Sequence, residues 1–322
     1  MATSAPAPRA PHVVLGTGPL GRATASALKR AGADVVLVNR SGQVGDAPAG
    51  VAVLAGDLSA PQILMSSLTS ASAVYFCAQP PYHLWPEKFP TLHSMAIRLA
   101  ANLDAHFIVA ENLYGYGPVS RPMTEDMPLR PTTRKGIVRA EMHQALMVEH
   151  RAGTVQVAVA RGSDFFGPHV EGSAAGDRAF KAIVAGKSVE FLGDLDALHS
   201  YTFVEDFGAA LATLGMNARS LGQVWHVPNS PALSSRRFFE TAFEIAGHKP
   251  RFRKISEIEM RLLGLFIPPL REMREMSYEF ESPFVVDDTK FKAEFGDAAT
   301  PLSAALTRTL GWTKRGLAGH KD

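Results

Sequence analysis

Six residues near the start of the chain, Gly16-Thr17-Gly18-Pro19-Leu20-Gly21, constrain the fold more than any other stretch. They follow a short apolar run from His12 to Leu15 and open a helix-like stretch that ends at Gly32. In a strand-turn-helix unit each glycine has a task. Gly16 permits the tight turn, Gly18 lets the backbone approach a pyrophosphate, and Gly21 lets the helix pack close to the strand, while free N–H groups at the helix start favour an anion. The pattern predicts a dinucleotide-binding turn. A glycine-rich connection without a ligand is the alternative.

The rhythm that follows fits such a unit. Val35 to Val38, Val51 to Leu54, Ala73 to Cys77, Phe107 to Val109 and Val155 to Ala160 read as buried strands. Helical patterns lie between them over Ala60 to Leu68, Glu87 to Leu103 and Thr133 to His150. This alternation predicts an α/β fold of Rossmann type, a doubly wound parallel sheet covered on both faces. After Arg161 the rhythm breaks: Phe165-Phe166-Gly167-Pro168 reads as a turn and Ala179 to Ala185 as a short helix. A helix from Val204 to about Leu214 and a strand from Gln223 to Val227 read as returns to the first sheet. The expected division is therefore a tail over 1–11, a dinucleotide-binding domain over 12–166 with returns at about 200–228, and a smaller, interleaved C-terminal substrate or lid domain over 167–199 and 229–322. Helices around Ser234 to Ala246, Ser256 to Leu265 and Pro268 to Met276 suit a lid.

Composition removes several classes of function. With 46% hydrophobic and 20% charged residues over 322 positions, the chain is a soluble globular protein. Lys+Arg at 33 against Asp+Glu at 31 leaves +2, too balanced for a nucleic-acid or anionic-membrane footprint, so the expected partner is a small-molecule substrate. No apolar run approaches the roughly 18 residues of a membrane span. The single cysteine, Cys77, allows no internal disulfide and fits a reducing cytoplasm. The eleven histidines form no close pair on a helix and no His-Glu-x-x-His pattern, so no metal site is expected.

The cofactor-binding set is Gly16, Thr17, Gly18, Pro19, Leu20, Gly21, Asn39, Arg40, Ser41, Asp57, Leu58 and Ala78. An adenosine ribose with a free 2′-hydroxyl is usually held by an Asp or Glu at the end of the second strand, where this chain has Asn39-Arg40-Ser41. Arg40, together with Arg22, offers a 2′-phosphate charge-assisted hydrogen bonds, which favours NADP over NAD, with NAD still possible. Both arginines being plain surface residues is the alternative. Asp57 suits the adenine amino group, or else the N-cap of the next helix.

Further landmarks appear in order: Gly56-Asp57-Leu58, Leu113-Tyr114-Gly115, Thr124-Glu125-Asp126, Arg161-Gly162-Ser163-Asp164-Phe165-Phe166-Gly167-Pro168 and Thr202-Phe203-Val204-Glu205-Asp206. With the glycine turn, they make the chain resemble the extended short-chain dehydrogenase/reductase superfamily, the NAD-dependent epimerase/dehydratase family, over nearly its whole length. The resemblance implies an N-terminal Rossmann domain, a smaller C-terminal substrate domain, and a nicotinamide between them. It also implies a Ser or Thr after the fifth strand and a Tyr-x-x-x-Lys pair, in which Lys lowers the Tyr pKa.

Here the chain departs from that pattern. Four residues beyond Tyr75, Tyr82, Tyr114, Tyr116, Tyr201 and Tyr278 stand Gln79, Pro86, Pro118, Ser120, Glu205 and Ser282, so no tyrosine begins the motif. Ala110 stands where the Ser or Thr is expected, and Lys135-Gly136-Ile137-Val138-Arg139 where Tyr-x-x-x-Lys is expected. Asp164 replaces an Asn common in the sugar-acting members.

The catalytic candidates are accordingly Lys135, Arg139, Tyr82 and Tyr114. Lys135 resembles the lysine used by the isoflavone-reductase-like group, and Lys135, Arg139 and His143 share one helical stripe, whose alternative is a solvated basic face. Tyr82 and His83 follow the fourth strand, where a loop delivers a phenol or an imidazole. Tyr114 and Tyr116 flank Gly115 and either bind a carbonyl or anchor a turn. His199 reads as a satisfied polar residue.

The leading expectation is an NAD(P)-dependent oxidoreductase, NADPH-preferring, acting on a small carbonyl or activated alkene. A non-catalytic NADP-binding sensor is the second, and a nucleotide-sugar epimerase or dehydratase the third. A homodimer is what the resemblance implies for assembly.

Overall fold

The computed structural model describes residues 10–256, 259 and 275–318. Its centre is a seven-stranded sheet in which each neighbouring pair runs parallel. The strands are β1 (His12–Leu15), β2 (Val35–Asn39), β3 (Ala52–Ala55), β4 (Ala73–Phe76), β5 (His106–Glu111), β6 (Val157–Arg161) and a late strand, Val224–His226, in the order β3-β2-β1-β4-β5-β6 followed by the late strand. Strand order reverses between β1 and β4, which opens a crevice beyond their carboxyl ends. β1, β4 and β6 are buried at every position, the signature of strands covered on both faces.

One face carries α2 (Gln62–Ser67), α3 (Trp85–Asn102) and α4 (Arg134–Arg151), whose Leu64, Phe89, Ile97, Val138 and Leu146 pack with Phe76 and Phe107. The other face carries α1 (Pro19–Arg30) and the helix Val204–Gly215, with Leu28, Phe207 and Leu211 against Val14, Leu37 and Tyr75. The two helices on this face touch through Gly208, where a Cβ would stand 2.5 Å from the Ala23 backbone. A third apolar cluster joins Phe166, Phe180, Phe238, Phe239 and Phe243 with Leu306 and Leu310 of the helix Leu302–Ala318, beside the main sheet.

The returns foreseen near 204 and 223 are present as that helix and the late strand. Two local readings need correction. Phe165–Phe166 is a strand, not a turn, because Thr202–Phe203 comes back alongside it in parallel. Of the expected tail, Ala10 and Pro11 are held, since their carbonyls accept from the Ser72 hydroxyl and N–H, and residues 1–9 lie outside the described ones. The helices expected over Ser256 to Leu265 and Pro268 to Met276 likewise fall mostly outside them.

Candidate active site

A cavity of about 810 Å³ runs along the carboxyl ends of the strands. Its wall at one end is the glycine turn. Gly16 has φ +105°, and a Cβ there would meet the Ala78 backbone at 2.9 Å. A Cβ on Gly21 would lie 2.0 Å from the Gly16 carbonyl oxygen, so the turn closes only without it. Around Gly18 the space is open, with no heavy atom within 4 Å of where a Cβ would stand. Pro19 opens α1, whose first N–H groups have no intrahelical acceptor. Gly16 and Gly21 are thus held by close packing, while Gly18 faces open space on the cavity wall.

Thr17, Pro19, Leu20, Asn39, Arg40, Asp57, Leu58, Ser59 and Ala78 line the same cavity. The Asn39 side chain is occupied in shaping the loop after β2. Its amide donates to Thr17 Oγ1 at 3.2 Å and Gln43 O at 2.7 Å, and its Oδ1 accepts from Gly42 N at 2.7 Å. Ser41 is off the cavity wall, its hydroxyl bonded to Gln43 O at 3.2 Å. Arg22 is likewise off the cavity wall and braces the loop through the carbonyls of Thr17, Gly45 and Asp46. Arg40 alone of the two arginines is exposed on the wall. Asp57 is not a helix cap, because α2 starts only at Gln62. Its Oδ1 accepts from the Ser59 N–H and hydroxyl, both at 2.8 Å, and these bonds, aided by Arg40, hold its pKa below the usual carboxylate range.

Further along the cavity stand Tyr82, Trp85, Asn112, Tyr114, Arg139, Ser163, Asp164, Glu279 and Phe284. The turn after β4 delivers Tyr82 and not His83, which is exposed. Tyr82 and Tyr114 meet with their hydroxyls 3.4 Å apart. Burial pushes the pKa of each phenol up, and the carboxyls of Glu279 and Asp164 push further. At neutral pH both are therefore hydrogen-bond donors and neither is a phenolate.

The stripe of Lys135, Arg139 and His143 faces inward, which corrects the solvated alternative. Lys135 is 1% exposed and sits behind the cavity wall, its ammonium 3.0 Å from Glu275 Oε2 and 4.5 Å from the centre of the Tyr82 ring. Glu275 Oε1 also accepts the Lys135 N–H at 2.8 Å, so one carboxylate serves both the side chain and the first turn of α4. Arg139 lies over the Trp85 and Phe89 rings and donates to Asn112 Oδ1 and Ala110 O at 3.3 and 3.2 Å. His143 meets Glu111 Oε1 at 3.3 Å. Burial alone would raise the Glu111 pKa, but Arg161 at 2.9 Å and then His143 hold it well below the usual range.

Tyr116 anchors a turn: its hydroxyl receives Arg161 Nη1 and meets His226 Nε2, each at 2.8 Å. His199 is satisfied, bonded to Asp164 Oδ2 at 3.0 Å. Asn112, Glu275 and Glu279 were not singled out from the sequence. For Glu279 a signal existed: Met276, Phe280 and Phe284 recur every four residues, and Glu279 falls three after Met276, on the same side. Among the described residues, no group of three His, Cys, Asp or Glu could hold a metal ion, and no helix is long and apolar enough to cross a membrane.

Against family models, residues 13–227, two thirds of the chain, match the NAD dependent epimerase/dehydratase family. The chain belongs to that family. Similar solved structures include a UDP-glucuronic acid 4-epimerase from Bacillus cereus in complex with NAD, at 15% identity and TM-score 0.76, covering 94% of this chain and 98% of that one. A UDP-glucose 4-epimerase from Thermotoga maritima, solved with UDP-glucose, has 16% identity and TM-score 0.76, with coverage of 95% and 99%. A dTDP-glucose 4,6-dehydratase from Streptomyces venezuelae, with NAD bound, has 16% identity and TM-score 0.76, with coverage of 96% and 98%. At these identities the likeness speaks to the fold. No curated protein matches. This epimerase/dehydratase-family chain thus shares its fold with these enzymes, and its cavity is lined by the acids Asp57, Asp164 and Glu279 and the phenols Tyr82 and Tyr114.

Proposed function

We propose that this protein is a nicotinamide-dinucleotide-dependent oxidoreductase that prefers NADP(H) and reduces a small carbonyl or activated-alkene compound. The observation that carries the reading is the glycine turn with its open space at Gly18, leading to Arg40 where a ribose-binding carboxylate would repel a 2′-phosphate. The dinucleotide would be held by residues 16–21, Asn39, Arg40, Asp57, Leu58 and Ala78, with Arg40 on the extra phosphate. When bound it supplies a hydride. Tyr82 and Tyr114 would present their O–H groups to the substrate, Lys135 would hold the Tyr82 ring, and Arg139 would fix Asn112. Residues 167–199 and 229–322 would enclose the substrate.

Two other readings have specific support. The absence of Tyr-x-x-x-Lys favours a non-catalytic NADP-binding sensor. The nucleotide-sugar ligands of the solved neighbours favour an epimerase or dehydratase, but the carboxylate of Asp164, on the same wall as Glu279, works against a diphosphate bound beside it.

Titrating the full chain with NADPH and NADH, then following NADPH absorbance with aldehydes, ketones, quinones and enones, tests the reading. Micromolar binding, at least about tenfold tighter for NADPH, with turnover of one compound class, is the expected result. Binding without any turnover points to the sensor, and binding of neither nucleotide removes both.

A further inference from the structure

The short helix Tyr278–Glu281 brings an unusual carboxyl to the cavity. Glu279 is 1% exposed, lines the cavity, and its Oε1 has no hydrogen-bond partner among the described residues. A buried carboxylate without donors is strongly disfavoured. Its electrostatic neighbours on the wall are the phenols of Tyr82 and Tyr114 and the carboxyl of Asp164, with Tyr278 beside it in sequence.

Asp164 differs in having a partner. His199 Nε2 lies 3.0 Å from its Oδ2, and His199 Nδ1 lies 3.2 Å from the main-chain carbonyl of Glu279. A carbonyl oxygen only accepts, so Nδ1 carries hydrogen. The contact to Asp164 then holds one proton, on the ring or on the carboxyl. Phe280 and Phe284 stack on the His199 ring at 4.9 and 5.4 Å and fix its plane. One imidazole therefore ties Asp164 to the backbone of Glu279 itself.

We propose that Glu279 hydrogen-bonds the oxygen of the bound carbonyl substrate and protonates it, with Asp164 and His199 as positioning residues. The inference rests on the oxidoreductase reading and fills the role that Tyr-x-x-x-Lys leaves vacant in this chain. Two carboxyls sharing a poorly solvated pocket do not both ionise. Among the described residues Glu279 Oε1 has no donor of the kind that His199 can offer Asp164; burial first, and then the nearby Asp164 carboxyl, hold the Glu279 pKa well above the carboxylate range. The bound dinucleotide would supply a hydride to the carbonyl carbon; Glu279 would then give its proton to the oxygen that receives the C=O π pair, leaving the alcohol, the oxidised dinucleotide and a Glu279 carboxylate that regains a proton from water.

The titratable groups around Glu279 are Asp164 after β6, His199, Tyr82, Tyr114 and Tyr278, with the Lys135–Glu275 pair on the Tyr82 ring. The test uses the full chain with ¹³C-labelled Glu carboxyls, as wild type, Glu279→Gln and Asp164→Asn. One carboxyl is expected to remain protonated at pH 7, its resonance lost in Glu279→Gln, and to titrate about one unit lower or more in Asp164→Asn. With NADPH and 4-nitrobenzaldehyde as the carbonyl probe, Glu279→Gln is expected to lose about 100-fold or more in kcat while NADPH Kd stays within about twofold. A wild type whose Glu carboxyls are all ionised at pH 7 overturns the proposal even if a variant fails to fold, and so does unchanged kcat in Glu279→Gln. Failure of the underlying reading looks different: the wild type binds no NADPH while the protonated carboxyl remains, and that outcome overturns the role toward substrate.

Discussion

The Lys135 ammonium lies 4.5 Å above the Tyr82 ring and 3.0 Å from Glu275, so a buried cation on α4 holds a phenol of the cavity wall by its face and not through its hydroxyl. In this geometry the lysine fixes where the ring stands, and the carboxyls around the ring keep its hydroxyl protonated.

Lys135→Met removes one partner of a largely buried ion pair and leaves Glu275 uncompensated. The expected loss is about 3 kcal/mol of unfolding free energy, read as a lower urea midpoint at unchanged m-value. Turnover of any reduced carbonyl is expected to fall with it, since Tyr82 loses its support. Wild-type stability and rate in this variant would strip Lys135 of both roles.

Arg40→Ala separates the two dinucleotides. A charge-assisted contact to a 2′-phosphate is worth about 1.5–3 kcal/mol, so NADPH Kd is expected to rise about 10- to 100-fold while NADH Kd changes less than about threefold. Isothermal titration at two salt concentrations reads both. Equal weakening for both nucleotides would place Arg40 elsewhere than on the phosphate.

Gly18 and Gly21 predict opposite failures. Gly18 has ordinary extended backbone, φ −67° and ψ −176°, and open space at its Cβ position, so Gly18→Ala is expected to fold with near wild-type stability and bind NADPH at least about tenfold more weakly. Gly21→Ala drives a Cβ into the Gly16 carbonyl and is expected to lower the melting temperature itself. Thermal unfolding with and without NADPH distinguishes them.

Two buried histidines are expected to lower stability on acidification below neutral pH, against the opposite slope contributed by Glu279. Burial pushes the pKa values of His93 and His226 down to about 4 each. Between there and the ordinary histidine range near 6.5, the unfolded chain binds protons that the folded chain refuses, so unfolding becomes easier as pH drops, by up to about 1.4 kcal/mol per unit for each histidine. Among the described residues His93 Nε2 has no hydrogen-bond partner, and its ring packs on Phe76 and Phe107, so His93→Leu is expected to reduce the slope between pH 6.5 and 5 by up to about 1.4 kcal/mol per unit. A slope identical to wild type would assign it to other groups.

How far the sequence was legible follows from how local each signal is. The glycine turn and β1, β4 and β6 could be read because their periodicity lies within a few residues. Arg22 could not: its acceptors, Gly45 and Asp46, belong to a loop more than twenty residues away, and Asp46 has φ +52°. The strand at Phe165–Phe166 depends on a partner at 202–203 and read as a turn for the same reason. Tyr82, Tyr114 and Arg139 were found because they sit beside recognisable strands and on a helical stripe. Glu279 comes from a distant segment, and its burial exists only once the third apolar cluster and the sheet are side by side.

Asn39 ties the residue at the end of β2 to the shape of the loop that follows. Its oxygen is committed to Gly42 and its amide to Thr17 and Gln43. An aspartate there would keep the acceptor and could take a hydrogen bond from the Thr17 hydroxyl, but it would set an anionic oxygen against the Gln43 carbonyl, so a carboxylate at this position requires the loop to be rebuilt around it.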